Sequence, residues 1–479
     1  MRFNCELRKI SDIADVIGGG TPSSKVEEYY GGNISWITPK DLSNINTREI
    51  SDGERSITDL GLQKSSARLV PKGTILFTSR APIGYVAIAK KELCTNQGFK
   101  SLVLKQDNDS DFFYYLIKYN VPLFESRASG STFKEVSGQI VKDTELRIPD
   151  YPIQIQIGKL LKSFDDKVEL NHQINQTLEQ MAQALFKSWF VDFDPVKAKI
   201  RAKDAWINLR GEIPASDSPV YADYAHNLSA AAMSVISDKT TTQLEIFATQ
   251  NPEQYQSLKT TADLFPDAMQ DSELANVPEG WEVSEIGKEV TVVGGGTPST
   301  KTPEYWGNGT NHWTTPKDLS GLYDKIITNT ERKITDAGLA KISSGLLPVD
   351  TVLMSSRAPV GYLALAKVPI AINQGYIAMK CEKVLTPEYV IQWCYSVMHE
   401  IKQRASGTTF AEISKKNFNV IPVIVPKHEI VAAYSKVVSD VYKGIENNVM
   451  ENQSLTQLRD TLLPKLLSGQ LVIKHKNLS

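Results

Sequence analysis

At 479 residues, with 41% hydrophobic and 23% charged positions, the chain is too long for one core and apolar enough to fill two or three. A formal net charge of −2 excludes a global pull toward nucleic acid or an anionic membrane, so any such binding must come from local patches. Four scattered cysteines without a CxxC pair argue against a zinc ribbon and a disulfide framework, and with no signal-like start and no apolar run of about 18 residues the expectation is a cytoplasmic protein.

The first unit opens with Leu7, Ile10, Ile13 and Val16 leading into Gly18-Gly19-Gly20-Thr21-Pro22-Ser23. No Gly-Lys-Ser/Thr follows and no helix start is signalled, so a phosphate loop is rejected in favour of a turn where backbone passes close to another segment. Trp36-Ile37-Thr38-Pro39-Lys40-Asp41-Leu42 comes next. Short apolar strands bounded by Gly and Pro are predicted over 74–78, 85–89 and 102–104, and a helix over 111–119. The loops around them carry Ser79-Arg80-Ala81-Pro82, Asn96-Gln97-Gly98, and Ala128-Ser129-Gly130 with Thr132-Phe133.

From 153 to 193 the spacing predicts one long helix with a narrow apolar stripe: Ile157, Leu160, Phe164, Val168, Ile174, Leu178, Met181 and Leu185. So narrow a stripe needs a partner helix. Asp150, Asp165, Asp166 and Lys167 have the residue types of a metal-dependent nuclease, but the last three fall within the helical stripe and the second half lacks the carboxylates, so solvated helix charge is the preferred reading. Residues 194–279 begin basic, turn small and acidic, and offer only Ala230, Ala231 and Ala232 as a helix signal; a partly helical linker is expected.

The second half then repeats the first. Gly294-Gly295-Gly296-Thr297-Pro298-Ser299 recurs at an offset of 276, and after one inserted residue the offset is 277 for Trp313-Thr314-Thr315-Pro316-Lys317-Asp318-Leu319, Ser356-Arg357-Ala358-Pro359, Asn373-Gln374-Gly375 and Ala405-Ser406-Gly407 with Thr409-Phe410. Strands are predicted over 351–354, 362–366 and 377–379 and a helix over 387–399. A second stripe, Tyr434, Val437, Val441, Ile445, Leu455, Leu458 and Leu462, supplies the partner helix. A fixed offset over so many matches means one fold used twice. The expectation is therefore an α/β (α+β) duplication with pseudo-twofold symmetry: globular domains at 1–149 and 277–425, long helices at 150–193 and 426–468 that pair with each other, a linker at 194–276 and a tail at 469–479. Asn171 and Asn448 interrupt the two stripes at equivalent places; a buried Asn fixes register at a cost in stability, so they are predicted to meet near the pseudo-twofold axis.

Catalytic patterns are missing: no Asn/Asp-Pro-Pro-aromatic loop, Gly-x-Ser-x-Gly elbow, His-Glu-x-x-His helix or Walker lysine, and no metal site is indicated. What repeats is recognition chemistry. Arg reads guanine, Gln reads adenine, Thr contacts phosphate or base and Lys binds phosphate, so Lys40, Arg80, Gln97 and Thr132, with Lys317, Arg357, Gln374 and Thr409, are the candidate DNA contacts. For Arg80 the alternative is a carboxylate such as Asp41 in its own domain; for Thr132 and Thr409 it is a loop packed on its own core.

The ordered motifs, with Ser188-Trp189-Phe190-Val191-Asp192-Phe193-Asp194-Pro195 and the junction Phe265-Pro266-Asp267 to Pro278-Glu279-Gly280-Trp281, resemble the specificity subunit of type I restriction-modification enzymes over essentially the whole chain. The resemblance implies a non-catalytic protein whose two target recognition domains each read half of a bipartite, asymmetric site in double-stranded DNA, with the two long helices packed as an antiparallel coiled coil between them. Two modification (methyltransferase) subunits binding S-adenosylmethionine, and up to two ATP- and Mg²⁺-dependent restriction subunits, would carry all cofactors. A helix of about 35 residues is about 50 Å long, enough to bridge half-sites about 34 Å apart. A duplicated Mg²⁺-dependent nuclease and a bivalent protein-binding scaffold are the competing readings.

Overall fold

The computed structural model describes residues 5–43, 45, 47–80, 82–130, 134–272, 276–407 and 411–473. It divides into two compact units, residues 1–171 with 451–479, and residues 172–450. Each unit therefore contains one recognition domain and one half of each long helix.

In the first unit a five-stranded sheet runs Ala14–Gly18, Lys100–Leu104, Ile75–Ser79, Ile83–Ala89 and Glu49–Ile50; the last pair is parallel and the rest antiparallel. A three-stranded sheet, Arg55–Ile57, Tyr30–Ile37 and Cys94–Thr95, stands beside it. Cys5–Lys9 pairs antiparallel with Glu145–Pro149 and so ties the start of the domain to its end. Side chains alternate across a strand: Ile75 and Phe77 pack with Phe112, Phe113 and Phe124, whereas Leu76 faces Ile37, Leu93 and Phe99. The helix Ser110–Tyr119 starts where it does because Asp109 accepts from the Phe112 amide at 2.8 Å.

The second unit repeats the topology. Its sheets run Thr291–Val293, Tyr376–Lys380, Val352–Ser355, Leu363–Ala366 and Ile326–Ile327, and Arg332–Ile334, Asn311–Thr314 and Ile370–Ile372; Glu282–Glu285 pairs with Pro422–Val425. Both the mixed class and the duplication read from the offset hold.

The long helices are Tyr151–Phe186 and His428–Leu467. The first stops short of 193: a wider π turn over Lys187–Val191 buries Trp189 and Phe190, and Phe193 takes a left-handed conformation with φ 56°. Each of the two register asparagines has a partner within its own unit. Asn171, fully buried, donates to Asn452 at 2.8 Å and to Glu451 at 2.8 Å, and Asn448 donates to Asn175 at 2.7 Å. Antiparallel pairing matches each asparagine to the one a turn along, and the two contacts are the same contact related by the 277 offset.

Two further expectations change. The stretch read as a partly helical linker forms four helices, Asp194–Arg210, Tyr221–Ser237, Thr241–Gln250 and Pro252–Leu264, the last three of which share a core of Ala232, Met233, Leu244 and Ala262. Its basic start is partly internal, since Lys199 is buried and donates to the Phe265 carbonyl at 2.6 Å. Nor is Asp165 solvated helix charge. It pairs with Arg459, lies 3.8 Å from Arg48 and accepts from the Tyr115 hydroxyl at 2.5 Å.

Candidate nucleic-acid interface

The repeated motifs build one loop cluster per unit, and most of their residues serve as its frame. The middle glycine of each triplet sits where a Cβ would lie 2.0 Å from the Asn96 carbonyl or 1.9 Å from that of Ile372, so only glycine fits. Trp36 and Trp313 pin the third glycine through indole N–H bonds to the carbonyls of Gly20 and Gly296, at 2.9 and 3.1 Å. Asp41 accepts from the Thr38 amide (2.7 Å), the Thr38 hydroxyl (2.6 Å) and the Glu54 amide (2.7 Å). Asp318 accepts likewise from the Thr315 amide at 2.6 Å and hydroxyl at 3.0 Å. Both carboxylates are thus committed to starting the short helices Pro39–Ser43 and Pro316–Ser320.

Backbone bonds then stitch the remaining loops together. The Ser79 amide donates to Gly98 O at 2.8 Å and the Val136 amide to Ser79 O at 2.9 Å; Ser356 to Gly375 and Ile413 to Ser356 repeat this at 2.8 and 3.0 Å. Asn96 and Asn373 turn their loops by accepting from Gly98 and Gly375 at 2.8 and 2.9 Å. Pro39 and Pro316 lie against those same glycines, so the lysine helix, the glutamine turn, the arginine turn and the bridged pair Ser129–Glu135 or Ser406–Glu412 converge in each unit.

Within this frame the candidate contacts are the side chains left at the surface. Gln97 and Gln374 are exposed; each uses its carbonyl oxygen on a threonine hydroxyl of the glycine loop, Thr21 and Thr297 (the latter at 2.7 Å), leaving the amide as donor. Arg80 is 36% exposed and lies 3.7 Å from Glu135; Arg357 is 38% exposed and lies 3.7 Å from Glu412. The Arg80 partner is therefore Glu135, not Asp41. Lys40 pairs with Glu54 at 2.7 Å, both well exposed, and Lys317 is exposed. Thr132 and Thr409 lie outside the described residues. The two acids were missed in the sequence although Glu135 and Glu412 also obey the 277 offset; their backbones pair with Ser129 and Ser406 across the loop.

Half-exposed ion pairs contribute about 0–1 kcal/mol, so each arginine can exchange its glutamate for an incoming acceptor at little cost. An arginine fork beside a glutamine amide is the equipment that reads base edges in a major groove. Among the described residues no group of three or more His, Cys, Asp or Glu could hold a metal ion, and no helix is long and apolar enough to cross a membrane.

Comparison with known proteins finds the same duplication. The family model of the type I restriction modification DNA specificity domain matches residues 4–180 and again 278–457. The chain belongs to this family. Among its relatives, the type I restriction enzyme MjaIX specificity subunit of Methanocaldococcus jannaschii is 30% identical over 480 residues, covering 98% of this chain and 94% of that one. The HindI specificity subunit of Haemophilus influenzae is 32% identical over 362 residues, 74% of each chain. The crystal structure of the type I restriction-modification S subunit from M. genitalium aligns over 97% of this chain and 96% of its own with a TM-score of 0.50 at 15% identity, a likeness of fold. Both matched segments of this specificity protein contain the loop cluster, and the helical insert at 194–264 lies between them.

Proposed function

We propose that this chain is the non-catalytic specificity subunit of a type I restriction-modification enzyme, in which the domains at 1–149 and 277–425 each read one half of a bipartite, asymmetric DNA site. The observation that carries the reading is the loop cluster built twice, each time presenting an Arg and a Gln in weak, exchangeable contacts. Arg80 and Gln97, with Arg357 and Gln374, read base edges; Lys40 and Lys317, with Thr132 and Thr409, hold phosphate. Two modification subunits dock on the chain and methylate adenine using S-adenosylmethionine, and up to two restriction subunits supply ATP- and Mg²⁺-dependent cleavage. The nuclease alternative loses its support because Asp165 and Asp166 are held by Arg459, Arg48 and Lys162.

The test is methylation mapping, by long-read sequencing, in cells that express the chain with its modification subunit and in cells lacking the chain. A bipartite adenine-methylated motif present only with the chain, one half of which changes when residues 1–149 are exchanged for another domain, is the expected result. Chain-dependent methylation that is absent despite an active partner would overturn the reading.

A further inference from the structure

The two units attach domain to helix with different chemistry at equivalent places. In the first, Arg48 precedes the Glu49–Ile50 strand and is only 7% exposed. It pairs with Asp111 of the domain and with two carboxylates of the long helix, Asp165 at 3.8 Å and Asp166 at 3.2 Å. Asp165 also binds Arg459 of the C-terminal helix and the Tyr115 hydroxyl. Burial, then the Asp165 carboxylate, push the Tyr115 phenol well above its ordinary range, so it keeps the proton it donates.

At the 277 offset every partner changes. Lys325 stands for Arg48, Gln392 for Tyr115, Tyr395 for Lys118, Tyr442 and Lys443 for Asp165 and Asp166, and Ala182 for Arg459. Lys325 lies 3.9 Å over the Tyr395 ring and 3.8 Å from Glu179, while Gln392 donates to Glu179 at 3.1 Å and to the Tyr442 hydroxyl at 2.8 Å. The first unit has Thr456 where the second has Glu179.

We propose that these clusters are position-specific keys: Arg48 and Tyr115 match the first domain to Asp165, Asp166 and Arg459, Lys325 and Gln392 match the second to Glu179 and Tyr442, and the domains are therefore not freely interchangeable between the two places. The proposal rests on the reading of the domains as separate half-site modules. The mismatch is one-sided. In the second place, Arg48 would keep Asp111 and meet Glu179, but Lys118 and Lys443 would crowd those two carboxylates and both helix aspartates would be gone. In the first place, Lys325 would find Asp165 and Asp166 with Glu388 carried along, so each charge stays matched. Removing partners from a buried ion is costly, whereas adding them is not.

The experiment compares thermal melting of the full chain with two full-length chimeras, one carrying the first domain (1–149) in both places and one carrying the second (277–425) in both. The first-domain chimera is expected to melt lower than the natural chain by about 4 °C or more, the second-domain chimera by less. Tyr442→Asp with Lys443→Asp should restore most of the loss in the first-domain chimera, yet lower melting in the natural chain. Equal melting of the two chimeras, or no restoration, overturns the proposal. Should the first-domain chimera not fold, the natural chain decides: Arg48→Lys should lower melting more than Lys325→Arg, and the opposite order overturns it. The readout needs no DNA, so failure of half-site recognition would appear separately, in the methylation map.

Discussion

Arg80 and Arg357 illustrate how a residue becomes available for recognition. Each is oriented by a neighbouring glutamate at 3.7 Å without being consumed by it, whereas Asp41 and Asp318 are fully engaged as caps. Replacing Arg80 by Ala should weaken binding of the assembled enzyme to one half-site by about 1–3 kcal/mol and leave the other unchanged; titration against duplexes altered in either half checks this, and equal loss in both halves would contradict modular reading. Thiol chemistry gives a second expectation at this scale. Burial pushes the Cys94 thiol up to about 12 and that of Cys394 higher still, leaving almost no thiolate at neutral pH. Alkylation of the native protein should therefore spare both until the chain is unfolded, with the less buried Cys5 modified first; rapid native labelling of Cys394 would mean its domain opens. The sequence made the Arg and Gln legible because they recur at one offset. It hid which acid would face them, because choosing Glu135 over Asp41 requires knowing that the cap already occupies the latter.

The long helices show where pattern reading reaches its limit. The 3–4 spacing located both, but register depends on antiparallel geometry, which pairs Asn171 with Asn452 and Asn448 with Asn175. Changing Asn171 alone to Leu leaves buried Asn452 short of a donor and takes one of two partners from Lys167, whose ammonium donates to Asn171 at 2.9 Å and pairs with Glu451 at 3.2 Å. A loss of about 1–3 kcal/mol is expected, and joint replacement of Asn171 and Asn452 by Leu should recover much of it in thermal melts; strictly additive losses would argue against the pair acting together. The helical insert was read as only partly helical for another reason. Two of its helices have only 10 and 13 residues, and the available signals were terminal: proline in the first turn after Asp194 and Asn251, and a capping box joining Thr240 to Gln243. Reading caps before stripes would have found them.

At the scale of the whole molecule, the duplication fixes the domains but not how the chain shares its residues between the units. The first unit is completed by residues 451–479 at the far end of the chain. Leu463, Leu466 and Leu467 join the cluster formed by Ile157, Leu161 and Phe113, with Leu466 fully buried. No local pattern carries this closure, because the residues involved are some 300 positions apart; only the antiparallel pairing of the two stripes implied it. Leu466→Ala should remove about 2–5 kcal/mol of stability, and the loss should fall on residues 1–171, remote in sequence from the substitution. Hydrogen exchange read by peptide resolves the two units: faster exchange in the strands Ile75–Ser79 and Lys100–Leu104, with Val352–Ser355 and Tyr376–Lys380 unchanged, is the expected pattern. Uniform acceleration through both sheets would mean that the units unfold as one, and would join the stability of each recognition domain to that of the other.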